Sequence, residues 1–444
     1  MKIINPSNNK VIKELNEDDA TSISTKYELA RSAQEGWASL SLKERINLVQ
    51  NFSNLLAKNS NELANDLSSE MGKPHQEAMN EINGAIKRIS FFIENSSHWL
   101  GENHVHTDGF TKEIISVDPL GVIGNISAWN YPFLVGVNVF IPALIAGNAI
   151  LYKPSEFSTL SGLNIGKLML EAGVPKEIFT VIVGNSMAGE VLLKLPLDGY
   201  FFTGSFKTGK YIAEQVAHKL VPVGLELGGK DPLYVTDELL DISKVAEAVA
   251  EGCLYNNGQS CCAVERIYVH EKVYDDFMAS FLLEIKKFST GAITQPNHLN
   301  FLEKQIQDAL NKGAQILIGG KKIDSLGNYF EPTVLENVNH QMEIMKEETF
   351  GPVVGVMKVK SDEEAILLMN DCEYGLTASV YSKNIDRAKN ILSKVNSGTS
   401  YINCCDRLSP YLPWAGRKHS GLGTTLSFLG ILAFTKPRGW HIRD

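Results

Sequence analysis

Gly121-Val122-Ile123-Gly124-Asn125-Ile126 carries no charge and ends on Ser127-Ala128-Trp129-Asn130-Tyr131-Pro132. A short apolar run closed by turn-forming residues reads as a strand buried on both faces. The pattern recurs downstream. Ala149-Ile150-Leu151-Tyr152 ends at Lys153-Pro154-Ser155-Glu156, and Phe179-Thr180-Val181-Ile182-Val183 follows a helix over 161–171. A helix over 186–194 leads to Tyr200-Phe201-Phe202, then Thr203-Gly204-Ser205-Phe206-Lys207-Thr208-Gly209, with a helix expected from Lys210. Apolar strands alternating with helices imply a parallel, doubly wound sheet. Ligands of such sheets sit beyond the carboxyl ends of the strands, where these motifs lie.

Outward from this core the texture changes twice. Residues 17–100 read as amphipathic helices, with Leu42, Ile46, Val49 and Phe52 at helical spacing. Residues 103–118 are polar and alternating, which fits two strands of a projecting arm with an edge for a second subunit, or a hairpin packed on its own chain. After residue 230 a second alternating unit begins. Its expected strands are 232–235, 266–269, 315–320, 329–335, 376–380 and 398–402, with helices over 241–253, 271–287 and 301–311.

The 444 residues are 44% apolar and 21% charged, a globular composition long enough for two domains. The net charge is −9 with scattered cations, so a nucleic-acid surface is not expected. Six cysteines, two pairs of them sequence neighbours (261/262 and 404/405), do not make a disulfide framework. Reduced thiols and a polar start, Met1-Lys2-Ile3-Ile4-Asn5-Pro6, give the expectation of a cytoplasmic protein without a signal peptide. Phe133 to Tyr152 has no charged residue, but Asn138, Pro142, Gly147 and Asn148 interrupt it. It reads as a buried helix, a turn and a strand, not a membrane span. The histidines lack paired ligand spacing, so no metal site is expected.

Chemistry concentrates in Tyr255-Asn256-Asn257-Gly258-Gln259-Ser260-Cys261-Cys262-Ala263. A thiol on a glycine-containing loop can be a nucleophile, although two inert buried cysteines are equally compatible with this segment alone. Glu226, in Gly224-Leu225-Glu226-Leu227-Gly228-Gly229-Lys230, offers a base for the same chemistry. Gly204 and Ser205 form a phosphate site by geometry, or a plain tight turn. Lys153 and Glu156 can bind ribose hydroxyls, and a carboxylate there disfavours a 2′-phosphate. The amide of Asn130 can stabilise an oxyanion.

Together, Trp129–Pro132, Lys153–Glu156, Phe202–Ser205, Glu226–Lys230, Gly258–Cys261, Glu347–Pro352 and Ser420-Gly421 resemble the aldehyde dehydrogenase superfamily over nearly the full chain. The resemblance implies an α/β fold of two doubly wound domains with mainly parallel sheets. A Rossmann-like cofactor domain would span 1–102 and 120–229, a catalytic domain 230–428, and a small β oligomerisation arm and tail 103–119 and 429–444. It implies Cys261 as nucleophile, Glu226 as the base that activates water, and Asn130 as oxyanion donor. Contacts to NAD, with NADP possible, are implied for Ser127, Trp129, Lys153, Ser155, Glu156, Gly204, Ser205, Gly228, Glu348 and Phe350. Tyr131, Cys262 and Trp414 would contact a small-molecule aldehyde, and the assembly would be a homodimer or homotetramer. Two positions depart from the family pattern. Val139 stands where a lysine or similar polar residue is common, and Thr425 where a glutamate is common. Arg407 would favour a carboxylate-bearing semialdehyde if it pointed inward, and is otherwise an exposed loop arginine. The competing readings are a succinate-semialdehyde-type dehydrogenase, acyl transfer to coenzyme A, a nucleotide-free cysteine esterase, and a silent scaffold.

Overall fold

The computed structural model describes residues 1–239 and 241–443. Asp444, the expected end of the tail, lies outside them. Two large sheets organise the described chain. In the first, six strands run Gly421–Leu422, Val223–Glu226, Gly199–Thr203, Val122–Ile126, Ala149–Lys153, Phe179–Val181. All pairs are parallel except the first, which is antiparallel. Val122–Ile126 has later strands on both sides, so the order reverses there and a crevice opens at its carboxyl end. One apolar cluster joins this sheet to the N-terminal helices. The uncharged stretch is the buried helix Pro132–Ala146, a left-handed Gly147 and the strand Ala149–Lys153. No helix among the described residues is long and apolar enough to cross a membrane.

The second sheet has seven strands, in the order Gln315–Ile318, Thr333–Glu336, Val353–Val359, Val264–His270, Asp231–Val235, Thr377–Tyr381, Thr399–Ile402. Only the first pair is antiparallel. Separate apolar clusters cover its faces, as a doubly wound sheet requires. Cys261 precedes the strand Val264–His270, and Glu348 precedes Val353–Val359. Both therefore stand at amino ends of this sheet, opposite the carboxyl ends of the first.

Several elements differ from the expected ones. The helix expected from Lys210 begins at Phe206, because the Ser205 hydroxyl accepts the Thr208 N–H and caps it. Gly209 lies inside that helix, where a Cβ would come within 2.4 Å of Leu227. The strand expected over 329–335 is Thr333–Glu336, since Pro332 has no N–H to give a ladder. The hairpin Lys2–Asn5 with Lys10–Glu14 was not expected; its second strand is exposed throughout and has no apolar face to announce it. The arm is a three-stranded antiparallel sheet of Asn103–Asp108, Thr111–Pro119 and Thr435–Arg443. The helix Ser427–Leu432, at the start of the expected tail, packs on His75–Trp99 and Pro132–Ala146.

One buried ion pair couples the helical layer to the crevice. Lys73 and Glu81 meet at 2.6 Å with both side chains fully enclosed. Lys73 also donates to the Asn130 carbonyl at 2.8 Å, and Glu81 accepts the Phe133 N–H at 2.9 Å. Removing one partner strands a buried charge. Lys73→Met should lower stability by about 3–5 kcal/mol. Lys73→Met with Glu81→Gln should recover part of it in thermal and denaturant unfolding. A loss below about 1 kcal/mol for the single variant would show that the pair does not hold this turn.

Candidate active site

A cavity of about 970 Å³ lies between the carboxyl ends of the first sheet and the amino ends of the second. Its wall includes every site residue expected from the sequence, brought from seven separate segments of chain. Cys261 and Glu226, the expected nucleophile and base, share it.

The cysteine loop departs from regular structure just before the thiols. Asn256, Asn257 and Gly258 are left-handed in succession, with φ of 53°, 59° and 69°. Asparagine tolerates this conformation and glycine is free in it. At 258 glycine is also required by space, because a Cβ would lie 2.3 Å from the Gly351 carbonyl. The turn is pinned on all sides. The Asn256 N–H donates to Glu77, its amide to the Asn130 and Gln259 carbonyls, and the Asn257 amide to Ala292. Thr294 N–H donates to the Gln259 side chain at 3.0 Å. Strain held by so many partners is what a functional loop requires.

The two adjacent cysteines have different surroundings. Cys262 is 3% exposed and donates to Asp406 at 3.0 Å, with the Ser260 hydroxyl at 3.4 Å. A hydrogen bond with Cys261, burial and the Asp406 carboxylate hold its thiol well above the usual range, so it stays protonated. Cys261 is half-buried and faces the cavity. Asn130 is 4% exposed. One hydrogen of its amide goes to the Gln259 carbonyl at 3.1 Å, which fixes the plane and leaves the other hydrogen available.

Glu226 ends the strand Val223–Glu226. The Thr425 hydroxyl donates to its Oε1 at 3.2 Å, and its buried Oε2 has no partner. Burial pushes its carboxyl up to about 8, against the lowering effect of Thr425. Thr425 pairs backbone to backbone with Trp414 at 2.8 Å in both directions, so the wall at Trp414 and the carboxyl's partner move as one. Val139 and Thr425 also line a second cavity of about 240 Å³ behind the carboxyl.

On the other side of the cavity, Lys153 is 3% exposed and its ammonium lies 3.9 Å from Glu156, whose side chain is partly open. Burial lowers the lysine's pKa. Gly204 and Ser205 line the cleft and lead into the 11-residue helix Phe206–Val216. Gly228 leaves room for Glu348, whose oxygens would lie 2.4 Å from a Cβ there. The Glu348 carboxyl accepts the Gly229 N–H at 3.0 Å and is pushed up to about 8 by burial. The turn at 348–350 is locked by a buried pair: Lys230 meets Glu265 at 2.7 Å, and Glu265 accepts the N–H groups of Thr349 and Phe350 at 2.8 Å. Phe350 packs edge-on to Trp129, with ring centroids 5.3 Å apart. Ser127 and Ser155 complete this wall. A cleft with a helix N-terminus for phosphate, carboxyls for hydroxyls and an aromatic floor fits a dinucleotide. Among the described residues no group of His, Cys, Asp and Glu could hold a metal ion.

Tyr131, Cys262 and Trp414 line the opposite arm of the cavity. Arg407 also reaches it but is 60% exposed and paired with Glu251 at 3.0 Å, as an exposed loop arginine. Sequence reasoning missed Arg88 and Asp406. Arg88 lies in a long amphipathic helix beside Lys87, and nothing local marks one cation as buried. Asp406 lies in a loop whose path is set by tertiary contacts.

The model of the aldehyde dehydrogenase family matches residues 1–439. A putative succinate-semialdehyde dehydrogenase [NADP(+)] of Mycolicibacterium smegmatis is 34% identical over 435 residues, 94% of this chain and 84% of that protein. Aminoaldehyde dehydrogenase 2 of Solanum lycopersicum is 33% identical over 446 residues, 96% and 88% of the two chains. The crystal structure of an NAD-dependent aldehyde dehydrogenase from Sinorhizobium meliloti superposes with a TM-score of 0.96 at 31% identity, over 100% of this chain and 91% of that one.

The Glu226 carboxyl is raised, so it is largely neutral at pH 7 and ionises as pH rises through about 8. Infrared difference spectra against Glu226→Gln should show its protonated C=O band titrating near that value. Thr425→Val removes the one bond that lowers it, and the midpoint should move up. A midpoint in the ordinary carboxylate range would contradict the burial argument.

Proposed function

The chain belongs to the aldehyde dehydrogenase family, and on that premise we propose that it oxidises an aldehyde to a carboxylic acid through a thioester on Cys261 that a Glu226-activated water hydrolyses. The observation that carries this reading is the shared cavity: one accessible thiol, one buried carboxyl with a free oxygen, and an amide donor all open into it. Residues 1–102 with 120–229 serve as the cofactor domain and 230–428 as the catalytic domain in this reading, since the dinucleotide cleft and the thiol belong to different sheets.

The Cys261 sulfur attacks the aldehyde carbon, and the oxygen takes the electron pair. The Asn130 amide and the Cys261 backbone N–H receive that oxyanion, each donor stabilising the transition state by roughly 3–4 kcal/mol. Cys262, held protonated, does not compete as a nucleophile. NAD(P), when bound by Lys153, Glu156, Ser205 and Glu348, supplies the acceptor for the hydride that leaves the thiohemiacetal carbon, so that a thioester remains on Cys261. Glu226 then takes a proton from water, whose oxygen attacks the thioester and releases the acid and the thiol. A cavity of about 240 Å³ beside Glu226 is lined by Val139 and Thr425, which stand where longer polar side chains are common in the family.

Acyl transfer to coenzyme A is disfavoured, because a base poised for water competes with a thiol acceptor. The free edges of the arm sheet fit pairing with a second copy in a homodimer or homotetramer. Six free thiols fit a reducing compartment such as the cytoplasm. The relatives' names do not choose a substrate charge, since they include both a succinate semialdehyde and aminoaldehydes.

Cys261→Ala should abolish oxidation while keeping nucleotide affinity, read by rate and by quenching of protein fluorescence. Glu226→Gln should give a burst of reduced cofactor followed by slow turnover, and should remove the rise of kcat with pH through about 8 expected of the wild type. Residual turnover in the first variant, or a normal steady state in the second, would overturn the mechanism. With Glu156 facing the expected ribose, kcat/KM should favour NAD over NADP. A clear NADP preference would reverse that assignment.

A further inference from the structure

Arg88 is 8% exposed, yet it lines the aldehyde arm of the cavity with Tyr131, Leu134, Asn138 and Asp406. It comes from the buried side of the helix His75–Trp99. Its Nη1 donates to the Leu134 carbonyl at 3.1 Å and to the Asn138 side chain at 2.9 Å. Those two bonds point the guanidinium and use one nitrogen. Nε and Nη2 have no hydrogen-bond or ion-pair partner among the described residues. Arginine is seldom buried unpaired, because a desolvated charge costs free energy that only a partner restores. Burial pulls its pKa down to about 10, so it remains a cation at neutral pH. Cys261 and Cys262 line the same cavity.

Of the neighbouring charges, Lys87 also lines the cavity but is exposed, and the others are paired or neutral. Arg407 and Glu251 pair with each other at the mouth. Asp406 accepts the Cys262 thiol, and burial raises its pKa, favouring the neutral form. Among the described residues of the aldehyde arm, Arg88 is therefore the buried cation with unused donors.

We propose, resting on the aldehyde-oxidising reading above, that Arg88 binds a carboxylate at the far end of the substrate, so that the chain acts on short aldehydes bearing an anionic group. The guanidinium fork offers Nε and Nη2 as a two-point clamp for such a group. A substrate amine would instead set a second cation beside Arg88.

The test compares three four-carbon aldehydes on the wild-type enzyme: 4-oxobutanoate, butanal and 4-aminobutanal. The carboxylated aldehyde should have the highest kcat/KM, mainly through KM. Arg88→Met should lower the ratio of its kcat/KM to that of butanal by about ten- to a hundredfold, the loss of hydrogen bonds to a charged group. Arg88→Lys should keep part of the ratio. NAD binding and thermal unfolding of each variant separate lost recognition from lost folding. A wild type that prefers butanal or 4-aminobutanal, or a ratio unchanged by folded Arg88→Met, overturns the proposal and leaves aldehyde oxidation standing. No cofactor reduction with any of the three would sink the aldehyde reading itself.

Discussion

The constraint at the centre of the structure is a thiol, Cys261, held in a turn so that it opens into the same cavity as the Glu226 carboxyl. The backbone at Asn256, Asn257 and Gly258 solves this by staying left-handed for three residues, a conformation that L-residues avoid without outside support. That support comes from chain far away. Glu77 and the Asn130 carbonyl hold one side, and Ala292 and Thr294 the other. Loosening any of these would let the thiols rotate away from the cavity.

Two fully enclosed lysine–glutamate pairs extend the same logic. Lys73 with Glu81 fixes the turn carrying Asn130, and Lys230 with Glu265 fixes the turn carrying Glu348 and Phe350. Buried ion pairs contribute little net stability, because desolvation offsets attraction. Their satisfied geometry fixes orientation instead. Each carboxylate here uses its remaining lone pairs on backbone N–H groups of a site turn, so the charge is fully partnered and the turn has one position.

Against this rigid frame, three carboxyls are left short of partners for their charged forms. Glu226 has one hydroxyl, Glu348 one backbone N–H, and Asp406 one thiol. Burial raises all three. A group poised between its neutral and charged forms near neutral pH is what proton abstraction needs, and it is an expensive thing to place in a core without a use.

The sequence alone determined the alternation that makes two mainly parallel sheets, because buried strands must be apolar and their connections must turn. Its ordered glycine-flanked turns also carried the family resemblance that singled out Cys261, Glu226 and Asn130. Element ends were less legible. The helix at Phe206 and the strand at Thr333 are set by a cap and by a proline's missing donor. Only the tertiary structure decided which of Cys261 and Cys262 is protected, and which of Lys87, Arg88 and Arg407, all at the cavity wall, is buried. Those outcomes depend on what packs against each side chain from distant segments, and burial and charge partnership are properties of the folded surroundings that no local window of sequence contains.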